Sequence, residues 1–323
     1  MTICKPQRSL ACTLYHENDK IKAPSLSFFP SERKKQGIIT MIKTIIICLV
    51  ATALAQPIDP GNVPCGVPTV QPITSRIVGG VVAKPGSWPW TVLLADAIGF
   101  ISGSGALINP HVILTSAQHF EGPNYSIFDL DLHYWRVYAG EYNISTNDPH
   151  EKYYHINRVV LHPGYNITSL ENDIALIITK EAIQYNDHTR PACLPDASHT
   201  YTVGEMCYLP GWGSTSNTGD EEVMNQVGLP IIDDTTCSSH WNDFLPATEL
   251  CAGYENGGKD FCGDDIGSPL MCKDQSGAWY IQGLASSGGD CKKADEPGIF
   301  EDVSMYSDWI KKTMEDAGYA YPY

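Results

Sequence analysis

The chain has 323 residues, with 21 Lys/Arg against 37 Asp/Glu and a net charge of −16. From Ile77 onward the imbalance sharpens to 12 Lys/Arg against 33 Asp/Glu, a net charge of −21. A field of that sign repels nucleic acid and anionic membrane surfaces, and it suits either solubility alone or a basic protein partner.

Residues 1–40 carry seven Lys/Arg against three Asp/Glu and show no apolar period. The apolar run from Thr44 to Leu54 follows Met41-Ile42-Lys43 and ends in Ala53-Leu54-Ala55. A basic start, a short apolar run and small residues at its end predict a secretory signal peptide over 41–55. The run is well short of the roughly 20 residues of a membrane anchor. Residues 1–40 therefore read as a mis-assigned leader, with a genuine extension as the alternative. Residues 56–76 are rich in Pro and turn formers and read as a propeptide. The main domain is expected over 77–312, with a tail over 313–323.

Beyond Ser87-Trp88-Pro89-Trp90, short β-rich runs alternate with turn clusters. Examples are Trp90–Leu94, Val112–Thr115, Tyr134–Ala139 and Trp279–Ala285. Such punctuation predicts an all-β sandwich or barrel. Met305, Trp309, Ile310 and Met314 recur at helical spacing and predict a terminal helix from about Val303 to Glu315. Three sequons, at Asn124, Asn143 and Asn166, agree with secretion. The segment from His150 to His155 has one residue too many for the helical zinc-protease spacing, and its tyrosines favour a strand.

The most specific stretch is Cys262-Gly263-Asp264-Asp265-Ile266-Gly267-Ser268-Pro269-Leu270-Met271-Cys272. It resembles C-x-G-D-S-G-G-P-L-x-C, the nucleophile loop of chymotrypsin/trypsin-like serine proteases. Leu114-Thr115-Ser116-Ala117-Gln118-His119 resembles their L-T-A-A-H-C, and Asn172-Asp173-Ile174-Ala175-Leu176 their N-D-I-A-L. The resemblance covers roughly residues 65–312. It implies two six-stranded antiparallel barrels with a C-terminal helix.

In that register Ile266 stands at the nucleophile, Gln118 at the base, and only Asp173 keeps its triad position. A hydrocarbon cannot attack a carbonyl carbon, and a primary amide has no basic nitrogen near neutral pH. Asp173 then reads as a buried carboxylate accepting hydrogen bonds. Asp264 replaces the glycine whose N–H stabilises an oxyanion, and a carboxylate there disfavours negative charge. His119 and Gly103 stand at the two ends of a family disulfide, both lost together. A one-residue slip would make His119 a base.

The resemblance implies the bridges Cys65–Cys193, Cys207–Cys272, Cys237–Cys251 and Cys262–Cys291. Spacing alone leaves that connectivity open. Of 11 cysteines, removing Cys4, Cys12 and Cys48 with the leader leaves these eight, an even set suited to an oxidising compartment. Arg76-Ile77-Val78-Gly79-Gly80 resembles the family's activation site, where the freed amino group of Ile77 would pair with Asp265. Asp260 occupies the base of the specificity pocket, walled by Ser286, Ser287 and Gly288 and left open by Gly298. Phe261 stands where a small residue is usual, so the pocket is either cation-accepting or vestigial. Glu141, Asp148 and Glu151 resemble a calcium loop, with Asn143 and Thr146 as carbonyl donors. The same carboxylates also fit a solvated hairpin. No cofactor is required beyond this possible structural calcium.

The resulting expectation is a secreted, non-catalytic homologue that binds an extracellular protein such as a protease, inhibitor or receptor. Two alternatives stand beside it. One is a serine endopeptidase with trypsin-like preference that uses His119 or Ser268. The other is a structural surface or matrix glycoprotein.

Overall fold

The computed structural model describes residues 63–74, 80–122, 131–214, 219–241, 245–254, 265–288 and 296–321. The expected signal peptide over 41–55, Arg76, Ile77, Asn124, Asp260, Phe261, Cys262, Asp264 and Cys291 lie outside the described residues.

The first barrel is built from β2 (Thr91–Asp96), β3 (Ile101–Asn109), β4 (Val112–Thr115), β5 (Trp135–Ala139), β6 (Lys152–Leu161) and β7 (Ala175–Thr179). These six strands close antiparallel in the order β2-β3-β4-β7-β6-β5. The second barrel uses β8 (Met206–Gly211), β9 (Asn225–Ile232), β10 (Glu249–Ala252), β11 (Pro269–Lys273), β12 (Trp279–Ser287) and β13 (Gly298–Asp302). It runs β9-β10-β13-β12-β11-β8 and closes through the β8–β9 pairing. A short β1 (Val81–Val82) pairs onto β9 outside this ring.

Local chemistry explains the strands. Every residue of β4 and β7 is buried, so β-branched and leucine side chains face protein on both sides. At the β2–β3 corner the Asp96 side chain accepts from the Ile98 and Phe100 N–H groups at 2.9 and 2.8 Å, which sets the turn. Closure leaves neither barrel with a free hydrogen-bonding edge.

One apolar cluster crosses the seam. Trp88, Trp90 and Trp279 are fully buried there, with Trp88 edge-on to Trp279 at 4.9 Å. Burial of such rings is a large share of core energetics. The indole N–H of Trp88 donates to Gln226 Oε1 at 3.1 Å, tying this core to the second barrel.

Three disulfides occur among the described residues: Cys65–Cys193, Cys207–Cys272 and Cys237–Cys251. Cys207–Cys272 joins β8 to β11. Cys237–Cys251 joins helix α1 (Asp234–Trp241) to β10. Cys65–Cys193 fastens the segment upstream of Arg76 to the link between barrels. That segment is also held by Gln226 Nε2 donating to Ile73 O at 2.6 Å and Tyr208 Oη donating to Thr74 O at 2.8 Å. Trypsin cleavage after Arg76 is thus expected to leave the upstream peptide attached on a non-reducing gel and to release it on reduction. Release without reductant would contradict the tether.

The terminal helix differs from expectation at its start. Residues Val303–Tyr306 form a 3-10 turn, capped by Asp302 accepting from Ser304 N, before α2 (Ser307–Asp316). The tighter turn leaves Met305 exposed, whereas Ile310 and Met314 are buried as their spacing implies. Beyond the helix, Tyr319 stacks on His111 at 4.9 Å. Among the described residues no helix is long and apolar enough to cross a membrane.

Candidate functional site

The seam between barrels brings Gln118, Asp173, Ile266 and Ser286 together. Gln118 lies in the 3-10 turn Ala117–His119 after β4, and Asp173 sits immediately before β7. Asp173 is fully buried and its carboxylate accepts four hydrogen bonds. Gln118 Nε2 donates to Oδ2 at 2.5 Å and Gln118 N to Oδ1 at 2.8 Å. Ser116 Oγ and Ser286 Oγ donate to Oδ2 at 2.6 and 2.9 Å. Gln118 Nε2 also donates to Ser286 O at 2.8 Å. The Gln118 amide thus caps this carboxylate from the 3-10 turn after β4. A buried charge surrounded by donors is stable without a cation, and removing any donor exposes it to a desolvation cost.

A second buried acid supports the first. The Asp173 N–H donates to Glu301 Oε1 at 2.7 Å, and the Tyr306 hydroxyl donates to Glu301 Oε2. Burial pushes Glu301 up to about 8, with the charges of Glu249 and Asp173 adding, against the pull of its two donors. Its folded value thus exceeds its unfolded value of 4.5, so the fold binds a proton that the unfolded chain releases. That contribution is fully present below about pH 4.5 and is lost as pH rises toward 8. At about 1.4 kcal/mol per unit, a few kcal/mol are involved. Glu301→Gln is expected to flatten the loss of stability between pH 5 and 8 relative to the parent chain, read by denaturant titration at each pH. Parallel curves would refute the assignment.

His119 and Gly103 form a compensated pair. A Cβ on Gly103 would lie 2.3 Å from His119 Cε1, so the imidazole occupies the space that the glycine leaves. His119 Nε2 donates to Ile266 O at 3.1 Å, and Ser104 N donates to the same oxygen at 3.0 Å. Burial holds the imidazole below its ordinary value, against the opposing pull of Asp173 and the bond to Ile266. The nitrogen that would serve as base therefore carries a proton directed at a backbone carbonyl. Ser268 is fully buried, and among the described residues its Oγ has no hydrogen-bond partner. Ile266 packs, half-buried, on the second-barrel core.

Asp265, expected to pair with a freed Ile77 amino group, is confined by two glycines. It is buried and accepts from Gly213 N at 2.8 Å. A Cβ on Gly211 or Gly213 would meet its carboxylate at 2.1 or 2.2 Å, so only glycine admits the side chain here. Ser286 and Gly298 are buried on neighbouring strands β12 and β13, while Gly288 is exposed.

The acidic loop is satisfied from within. Tyr142 N donates to Glu141 Oε1 at 3.0 Å and to Asp148 Oδ2 at 2.9 Å. Asn143 N donates to Asp148 Oδ2 at 2.8 Å, and Asp148 N to Glu151 Oε2 at 3.2 Å. Burial, then Glu151 and Asp148, push Glu141 up to about 7. Among the described residues no group of three His, Cys, Asp or Glu is placed to hold a metal. In this arrangement the carboxylates of Glu141, Asp148 and Glu151 each accept from a backbone N–H. His155 lies on β6 and His150 stacks on His188 at 3.8 Å. Asn143 is half-buried and bridges to Val223, whereas Asn166 is exposed on a loop.

Two comparisons bear on this geometry. The chain is 34% identical over 259 residues to serine proteinase stubble of Drosophila melanogaster, covering 76% of this chain and 32% of that protein. It thus spans about a third of the length of that relative. The family model described as Trypsin matches residues 77–310. That match runs through both barrels and the seam holding Asp173, and the chain belongs to the trypsin family.

Proposed function

We propose that this chain is a secreted, non-catalytic member of the trypsin family that acts by binding other proteins in extracellular proteolysis. The observation that carries the reading is the Gln118 amide bonded to Asp173 in the place of a base, beside Ile266 in the place of a nucleophile. A hydrolase of this class needs a nucleophile and a base within hydrogen-bond reach of each other. His119 spends its Nε2 proton on Ile266 O, and among the described residues the buried Ser268 Oγ has no hydrogen-bond partner, which weighs against either as a substitute. The three disulfides and the segment over 41–55 support an extracellular destination. The name serine proteinase belongs to the Drosophila relative, and proteolysis is the context this chain inherits from it rather than the act.

The test is turnover. The secreted chain, cut after Arg76 by trypsin and freed of it, should hydrolyse arginine ester and amide substrates no faster than buffer. Turnover that survives removal of trypsin and vanishes in Asp173→Ala would overturn the reading.

A further inference from the structure

A cavity of about 570 Å³ lies on the second barrel, between the segment entering β8 and the turn joining β11 to β12. Its lining includes His199, Thr202, Glu205, Lys273, Asp274 and Gln275. None of these belongs to the seam around Asp173. The volume is that of a small-molecule site.

The walls are held from within. Glu205 N donates to Thr202 O at 2.8 Å, and Thr202 N to Glu205 Oε2 at 3.1 Å. Gly204 N donates to Ile231 O and Ile231 N to Glu205 O, which ties this turn to β9. Across the cavity, Asp274 Oδ1 accepts from Ala278 N at 2.9 Å and from Ser276 Oγ at 2.7 Å. The Cys207–Cys272 bridge joins the two strands that these turns flank. Walls fixed in this way lose little freedom when a ligand enters. His199 adds a flat face, with its ring stacked on Tyr280 at 5.1 Å and its N–H donating to Asp196 O at 2.9 Å.

The lining selects a ligand class. Two carboxylates disfavour an anion. Both already accept from groups of the chain, and the Lys273 ammonium lines the same space, so a cation is disfavoured as well. Among the described residues no aliphatic side chain lines the cavity, so an apolar ligand gains little burial. Among the described residues no hydrogen bond reaches the His199 ring nitrogens, the Lys273 ammonium or the Gln275 amide. Free donors therefore stand beside carboxylate acceptors. That pairing suits an uncharged molecule whose groups donate and accept at once, as sugar hydroxyls do. The C–H face of a pyranose ring also packs on a flat imidazole.

We infer that this cavity binds one neutral pyranose residue of an extracellular glycan. The extracellular source rests on the secretion proposed above, whereas the chemistry of the cavity does not.

The experiment is a titration of the full secreted chain, read by saturation transfer to the ligand and by the His199 imidazole resonances. The probes are the methyl glycosides of glucose, galactose, mannose and N-acetylglucosamine. The methyl glycoside of N-acetylneuraminic acid and Nα-acetyl-lysine methylamide serve as anionic and cationic controls. At least one neutral glycoside is expected to bind saturably and to shift His199, with both charged controls at least about tenfold weaker. His199→Ala and Lys273→Met should each weaken that glycoside at least about tenfold, and Lys312→Met, exposed on α2, should leave it unchanged. Binding by none of the four glycosides, equal binding of either charged control, or undiminished binding in both His199→Ala and Lys273→Met would each overturn the inference. Peptide or ester hydrolysis does not enter this readout. A chain that proved catalytic would overturn the proposed function and leave the titration standing, and an inert chain that ignored every glycoside would do the reverse.

Discussion

Replacing Gln118 by His and Ile266 by Ser together is expected to give at most weak peptidase activity, and adding Asp264→Gly to raise kcat roughly a thousandfold further. The first two changes rebuild a base and a nucleophile on a prepared support. Asp173 already accepts from Gln118 N, Ser116 Oγ and Ser286 Oγ, so a new imidazole inherits the bond now made by Gln118 Nε2. What remains is the place where negative charge develops. Asp264 lies outside the described residues, and its effect follows from its position in the loop motif. Two unit charges ~4 Å apart at an effective dielectric of ~20 repel by ~4 kcal/mol, which is about three decades in rate. Glycine at that position also adopts backbone conformations that aspartate resists. The assay is hydrolysis of arginine esters and amides after trypsin activation and removal. A double variant as fast as the triple would show that Asp264 is no obstacle.

The second large effect concerns His119 and Gly103. Gly103→Cys alone is expected to destabilise by about 1–3 kcal/mol, because its Cβ would lie 2.3 Å from His119 Cε1 and the core must shift. His119→Cys alone removes most of a buried ring and leaves a void, at a cost of similar size. The double variant removes both faults and allows a bridge that closes a short loop, contributing about 3 kcal/mol in the chain-entropy account. The coupling between the two sites should therefore be large and favourable. A denaturant cycle over the parent, both single variants and the double variant reads it. Additive single and double values would mean that the imidazole does not fill the space of the lost bridge.

Much of the architecture is legible in the sequence because its signals are local. The run Val112–Thr115 is recovered as β4 without change, and three of the four inferred bridges lie within the described residues. The three loop motifs place Gln118, Asp173 and Ile266 in one seam. What the sequence hides are relations between distant residues. Nothing near Glu301 announces a bond to Asp173 N, 128 positions away. The loss of two cysteines is visible at Gly103 and His119, but the reciprocal fit of ring and glycine depends on strand pairing. Ser287 is readable as a missing tryptophan, whereas its pairing with Ile299 across β12 and β13 comes from the fold. Met305 follows the helical spacing yet lies exposed, since an Asp302 cap tightens the first turn.

The central claim is that this trypsin-family chain lacks a working nucleophile, and covalent labelling tests it most directly. The trypsin-cut secreted chain is treated with a fluorophosphonate, which reacts only with an activated serine, and then examined by intact mass and peptide mapping. The expected result is an unlabelled native chain beside a labelled Gln118→His, Ile266→Ser, Asp264→Gly variant. A stoichiometric adduct on Ser268, or on any other serine of the native chain, would contradict the account.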